Sequence, residues 1–161
     1  MSELSGPTIA PGDLAEVHTQ SAIDFGTRIF DDAGNEYIFL KGIASTLAGS
    51  WATYDEEHLT TLLAANAKGP VAIAQAATNT NAKYGWYLIW GTTTALAQAG
   101  VADNEVTIGR SVTDGYVGSG ATAGDIIYGV IARSSLTADT GTGKINVQIY
   151  YPWVDDATGS H

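Results

Sequence analysis

The chain has no cysteine, which excludes disulfides, thiolate metal sites and cysteine nucleophiles. Basic residues are scarce: 7 lysines and arginines stand against 17 acidic residues, a formal net charge of -10. A surface of that sign repels nucleic-acid phosphates and anionic bilayers, so neither direct nucleic-acid binding nor membrane association is expected. There is no apolar run of the roughly 18 residues that a spanning helix requires. Met1 to His18 also lacks a positive segment followed by an apolar one, so no signal peptide is read. Histidines number only three, His18, His58 and His161.

Motifs for catalysis are missing too. Asp31, Asp32 and Glu36 crowd one turn without the spacing of a calcium-binding helix-loop-helix, and read as a solvated acidic turn. Asp55, Glu56, Glu57 and His58 are consecutive, so they point in different directions and gain no partners from a second cluster. The glycine-rich run Gly109 to Asp125 has neither GKS/GKT nor GxGxxG, and is no phosphate loop. Ser134, His58 and Asp125 can be written as a triad, but no GxSxG elbow supports it. No enzyme activity, cofactor or metal is expected.

What the chain does have is 161 residues, enough for one domain that buries about two thirds of its unfolded surface. Its 19 glycines, with many alanines and threonines, favour tight turns and closely approaching strands. The centre is Pro70 to Gly91, read as a β-hairpin or a pair of adjacent strands around the turn residues Thr78 to Lys83. In the first arm Val71 and Ile73 alternate with small Ala72 and Ala74, as on a strand packed on one face with a close neighbour on the other. The second arm places Tyr84, Trp86, Leu88 and Trp90 on one face and Gly85, Tyr87 and Ile89 on the other, so both sides are to be covered.

Residues 1–22 read as an arm, flexible or ordered on assembly, or alternatively with Leu14 to His18 as a first strand, 23–154 as a β-rich domain and 155–161 as a polar tail. Strands are expected over Thr27 to Phe30, Tyr37 to Ile43, Ser50 to Tyr54, Val106 to Ile108, Ile126 to Ala132 and Lys144 to Tyr151. In the last of these Ile145, Val147, Ile149 and Tyr151 face inward and Pro152 ends the strand. Asp55 to Asn66 carries the one helical period, through Leu59, Leu62 and Leu63, and Thr92 to Asn104 reads as a connection. These elements predict an all-β antiparallel barrel or sandwich with long loops and at most one short helix.

Trp51-Ala-Thr-Tyr-Asp55, Leu62 to Ala74 and Tyr84-Gly-Trp-Tyr87 resemble the head decoration, or cement, proteins of tailed bacteriophages, over roughly Tyr37 to Tyr151. The resemblance implies a β-rich structural virion protein on the outer surface of an icosahedral capsid, commonly a homotrimer, whose partner is the major capsid protein. It implies no catalytic residue. Trp51, Tyr54, Tyr84, Trp86 and Tyr87 are then core or subunit contacts, and Trp90 joins them from the strand pattern. The rival reading is a carbohydrate-binding β-sandwich, in which Trp51, Trp86, Trp90, Tyr87 and Tyr150 line a stacking platform. Three coplanar exposed rings would favour sugar; rings buried between subunits would favour cement.

Overall fold

The computed structural model describes residues 13–19, 23–120, 126–136 and 141–155. Its strands are β1 (Arg28–Phe30), β2 (Glu36–Lys41), β3 (Trp51–Tyr54), β4 (Thr60–Leu62), β5 (Gly69–Ala74), β6 (Tyr84–Gln98), β7 (Ile108–Arg110), β8 (Val117–Ser119), β9 (Ile127–Ala132) and β10 (Thr142–Val154). Among the described residues the only helix is one 3-10 turn, Asp13–Ala15. The fold is all-β: one sheet of ten strands in the order β1-β2-β6-β10-β5-β3-β4, with β7, β8 and β9 attached to its side.

The expected pair of strands around Pro70 to Gly91 is present. β5 and β6 pair antiparallel, Ile73 with Leu88 and Ala74 with Tyr87. β6 is longer than its sequence pattern suggests and continues through Thr92 to Gln98, where a connection was expected. The threonines of that stretch are strand residues because β10 pairs along the whole of it, from Gln98–Thr142 to Trp90–Tyr150. The strand expected at Val106 falls instead over Ile108–Arg110. The glycine-rich segment after it holds the β7–β8 hairpin, Gly109 facing Gly118.

The helical period at Asp55 to Asn66 does not yield a helix. Asp55 Oδ1 accepts hydrogen bonds from the N–H groups of Glu57 and Leu59, at 3.0 and 2.9 Å, and closes a turn in which His58 takes φ of 63°. The chain reverses into β4, which pairs with β3. Local side-chain bonding of an aspartate here outcompetes a three-leucine helix face too short to nucleate alone.

Alternation in β5 and β6 sorts side chains into two cores, as the sequence requires. Val71, Ile73, Trp86 and Leu88 enter the main core with Phe39, Trp51, Ile145, Val147 and Ile149. Ala72, Ala74, Tyr87 and Ile89 turn the other way and pack with Ile38, Leu40 and Ala52. Three alanines on β3 and β5 leave room for larger residues of β2 and β6, which lets the strands curl around this smaller cluster. The sheet is not closed into a barrel. Its β4 end is tethered to β2 by one parallel bridge, Lys41–Leu59, with Lys41 N–H donating to His58 O (3.1 Å) and Thr60 Oγ1 to Lys41 O (2.6 Å). A buried bond between Tyr87 and Thr78 hydroxyls, 2.6 Å, fills one end of the cluster.

Within the segment expected as an arm, His18 exchanges two backbone hydrogen bonds with Tyr84, both 2.9 Å, and Leu14 packs on the main core. The remainder of the arm, 1–12 and 20–22, and the tail beyond Asp155 lie outside the described residues.

The acidic turn is a structural hub. Asp31 Oδ1 accepts the Ala33 and Asn35 N–H groups, both 2.9 Å, and Oδ2 accepts Asn35 Nδ2 (2.7 Å) and the Tyr37 hydroxyl (2.9 Å). Partial burial raises the Asp31 pKa, but these bonds outweigh it and hold the carboxyl below its ordinary 3.8. Burial, then the bond to Asp31, pushes the Tyr37 phenol well above its usual range. Asn35 is thereby aimed at β6, its Oδ1 accepting the Thr92 N–H at 3.0 Å. That oxygen sits 2.0 Å from where a Cβ on Gly91 would be, and Gly91 has φ of +116°, so only glycine fits there.

Two outcomes are expected. Gly91→Ala lowers stability by about 2–4 kcal/mol, read as a shifted urea midpoint with unchanged slope. Asp31→Asn removes the acceptor for Asn35 Nδ2 and Tyr37 and costs about 1–3 kcal/mol at neutral pH. Because the folded carboxyl pKa is depressed, the wild-type advantage is full above 3.8 and disappears as pH falls through the folded value. Thermal melts of both proteins across that acid range check the convergence.

Candidate functional site

The aromatic residues singled out from the sequence divide into two groups. Trp51, Trp86 and Tyr87 are buried core residues, and Trp51 Nε1 donates to Leu96 O at 3.0 Å, fixing β3 to the far half of β6. Tyr84 is half-buried, its ring 5.0 Å from that of Phe25. Tyr54 is half-buried at the end of the smaller cluster. Trp90 leaves the core altogether and is 38% exposed.

Trp90 is displaced by a bulge. Opposite β2, Leu88 pairs with Tyr37 and Trp90 with the adjacent Glu36, so Ile89 is extra and the inside-outside alternation shifts. A second irregularity does the same in β10, where the register against β9 jumps from Ile149–Val130 to Trp153–Tyr128. Residues 150–152 of β10 therefore face Gly129 alone. A Cβ there would lie 2.7 Å from Tyr150 O, and its φ is +77°. This overturns two expectations. Tyr151 does not face inward: it sits in the bulge with φ of 45° and is 51% exposed. Pro152 does not end the strand: it is buried, its missing N–H is tolerated at the bulge, and β10 runs on to Val154.

The two bulges bring one set of rings to the surface. Trp153 (46% exposed) pairs with Pro70 of β5 on one side and Tyr128 of β9 (43% exposed) on the other, making a row across three strands. Tyr128 and Trp153 stack with centroids 4.6 Å apart at 20°. Trp90 meets Tyr150 at 4.9 Å and 80°, and Tyr151 at 5.1 Å and 45°. The rings are thus tilted against one another, and the only near-parallel pair is stacked on itself.

Beneath them lies Glu36, 4% exposed. Its Oε1 pairs with Arg28 Nη1 at 3.4 Å, and its Oε2 accepts a hydrogen bond from the Tyr151 hydroxyl. That bond to Glu36, with a smaller contribution from burial, raises the Tyr151 phenol pKa. Burial raises that of Tyr54, with Arg28 opposing and Glu36 adding. Arg28, Tyr54, Pro70, Tyr151 and Trp153 border a shallow groove floored by Val71 and Ile89. Among the described residues no group of histidine and carboxylate side chains is arranged to hold a metal. Ser134 of the written triad is engaged otherwise, its Oγ accepting the Asn146 N–H at 2.9 Å. Asp125 lies outside the described residues.

Sequence reasoning missed Tyr128, Tyr151, Trp153, Arg28 and Glu36 as members of this face. The usable signals were Gly129 in a strand and Pro152 followed by Trp153, since glycine and proline inside strands mark bulges.

Tyr151→Phe is expected to cost about 1–2 kcal/mol, because a nearly buried carboxylate loses one of its two partners. The folded phenol pKa is raised, so the stabilising contribution of the Tyr151 hydroxyl is full below the ordinary value of 10.0 and fades as pH rises beyond it. Urea titrations of the two proteins at neutral and strongly alkaline pH measure the narrowing gap. No family model, curated protein or solved structure matches this chain.

Proposed function

We propose that the chain is a structural decoration protein that binds the outer surface of an assembled icosahedral phage capsid and stabilises the shell. In this reading it acts as a homotrimer, its partner is the major capsid protein, it carries no catalytic site, and it resides on the virion exterior. The observation that carries the reading is the gathering of exposed aromatics onto one face of a β scaffold, Trp90, Tyr128, Tyr151 and Trp153. Tyrosine and tryptophan are enriched where proteins meet proteins. The segments that resemble cement proteins, Trp51 to Asp55, Leu62 to Ala74 and Tyr84 to Tyr87, build the strands that support this face.

The carbohydrate reading finds less support. Of its proposed platform, Trp51, Trp86 and Tyr87 are buried, and the remaining pair, Trp90 and Tyr150, cross at 80°. A sugar ring needs a flat exposed face, which these rings do not jointly present. Linked copies on a symmetric shell also explain how modest contacts suffice, since multivalent attachment raises effective concentration without new chemistry.

Purified protein mixed with expanded capsids lacking it is expected to co-sediment to saturation and to raise the temperature at which the particles release DNA. Failure to pellet, or coating without any gain in heat resistance, would sink the proposal. Titration with soluble oligosaccharides, followed by tryptophan fluorescence, is expected to give no saturable change.

A further inference from the structure

The row Pro70–Trp153–Tyr128 separates two shallow grooves. One is bordered by Val106, Ile131 and Tyr150, the other by Arg28, Tyr54 and Tyr151. Nine residues line each, and together they include no aspartate or glutamate and only one charged side chain, Arg28. In a chain with 17 acidic residues and a net charge of -10, so large a face without a carboxylate is the informative feature. Acids stand at its margins: Asp55 and Glu56 share a depression with Lys68 beyond Tyr54, Glu105 precedes Val106, and Asp155 follows Val154. Glu36 lies below the rings, paired with Arg28 and Tyr151.

We infer that this face, centred on Trp153 and Tyr128, is where a second copy of the chain docks. The inference rests on the self-assembling reading above and adds to it the surface that is used. Charge selects the occupant. Two copies of an acidic protein repel through most of their surfaces, and they approach at least cost where each presents rings and no carboxylate. The rings alone give a large share of the area a docking contact needs. A buried aromatic side chain removes roughly 150–250 Å² from water, so four half-exposed rings offer about 400 Å², half of the ~800 Å² that each partner gives to a stable interface.

Backbone pairing is not the means. Trp153 is already paired on both edges, with Pro70 of β5 and Tyr128 of β9, so an incoming extended strand finds no open ladder there. The contact is made by side chains, with Trp153 at its centre surrounded by Tyr128, Tyr151 and Pro70, the arrangement in which a central aromatic dominates binding. Arg28, half-exposed at the margin, is placed to meet a tyrosine hydroxyl or ring of the neighbouring copy.

Sedimentation velocity of the full chain over a concentration series tests this. Wild-type protein is expected to associate, and more tightly as salt rises, because screening relieves repulsion between copies while ring contacts persist. Trp153→Ser and Tyr128→Glu are each expected to weaken association by about 30-fold or more. Val112→Glu, at a position 85% exposed and outside both grooves, is expected to leave it unchanged. Near-ultraviolet circular dichroism establishes that each variant is folded, and Tyr128→Glu, on the strand surface, decides the matter if Trp153→Ser does not fold. A monomeric wild type at the highest concentration, or full association by folded Tyr128→Glu, would overturn the inference. The same proteins pelleted with capsids separate the two claims. A monomeric wild type that still coats and stabilises capsids leaves the decoration reading intact. Association lost in the variants, with no capsid binding by wild type, leaves the docking face intact and removes the decoration reading.

Discussion

One strand must satisfy hydrogen bonds on two edges over 15 residues, and the rest of the molecule is arranged around how β6 does so. At about 3.3 Å per residue it is some 50 Å long, more than any single neighbour here can cover. Its first half takes β2 on one edge and β5 on the other, and its second half takes β10, with β8 touching at Ala97. Where β5 hands over to β10, the strand has to bend and shift its alternation. Gly91, held against Asn35, supplies the bend, and Asn35 is in place because Asp31 holds the turn before β2. A surface turn and a central strand are thereby one mechanical unit.

The handover has a chemical consequence. β10 leaves β6 beyond Tyr150 and joins β5 at Pro70 and Gly69, and a strand that changes neighbours cannot keep a uniform pleat. Its bulge absorbs the mismatch and turns Tyr151 and Trp153 outward. The cost is a tyrosine in left-handed backbone, offset in part by its bond to Glu36. Aromatic exposure at this face thus follows from sheet geometry in addition to composition, and the same two irregularities place Trp90, Tyr151 and Trp153 side by side.

Much of the fold was legible because it rests on alternation. Val71 and Ile73 against Ala72 and Ala74 announced two unequal packing faces, and these are the two cores. The all-β class followed from short apolar runs between turn residues. What escaped reading was non-local. Leu59, Leu62 and Leu63 have a helical spacing, yet Asp55 captures the backbone and β3 recruits the segment as a strand. Thr92 to Gln98 is polar and alanine-rich, and becomes strand only because β10 lies beside it. The aromatic face is legible in part: Trp90 stands out as a core or subunit contact or as one ring of a platform with Tyr150, but alternation sets it beside Trp86 and Leu88, since it has no means of registering a residue inserted by a bulge. Tyr151 was assigned inward for the same reason. Pro152 marked the irregularity but was read as a strand end, because a proline gives the same local signal at a terminus and at a bulge.

The position of β10 bears on how the chain is made as well as on how it is held. Among the described strands it comes last in sequence, yet it lies inside the sheet, between β6, β9 and β5. While the ribosome is still adding residues before Thr142, the second half of β6 has a bare edge, and Ala95 and Ala97 lack the strand that pairs beside them. The sheet is completed only when β10 has emerged, and its ladder to β6 joins residues more than 40 positions apart, a separation that slows folding. Until then the second half of β6 is an unpaired edge, the kind of template on which a neighbouring chain can pair.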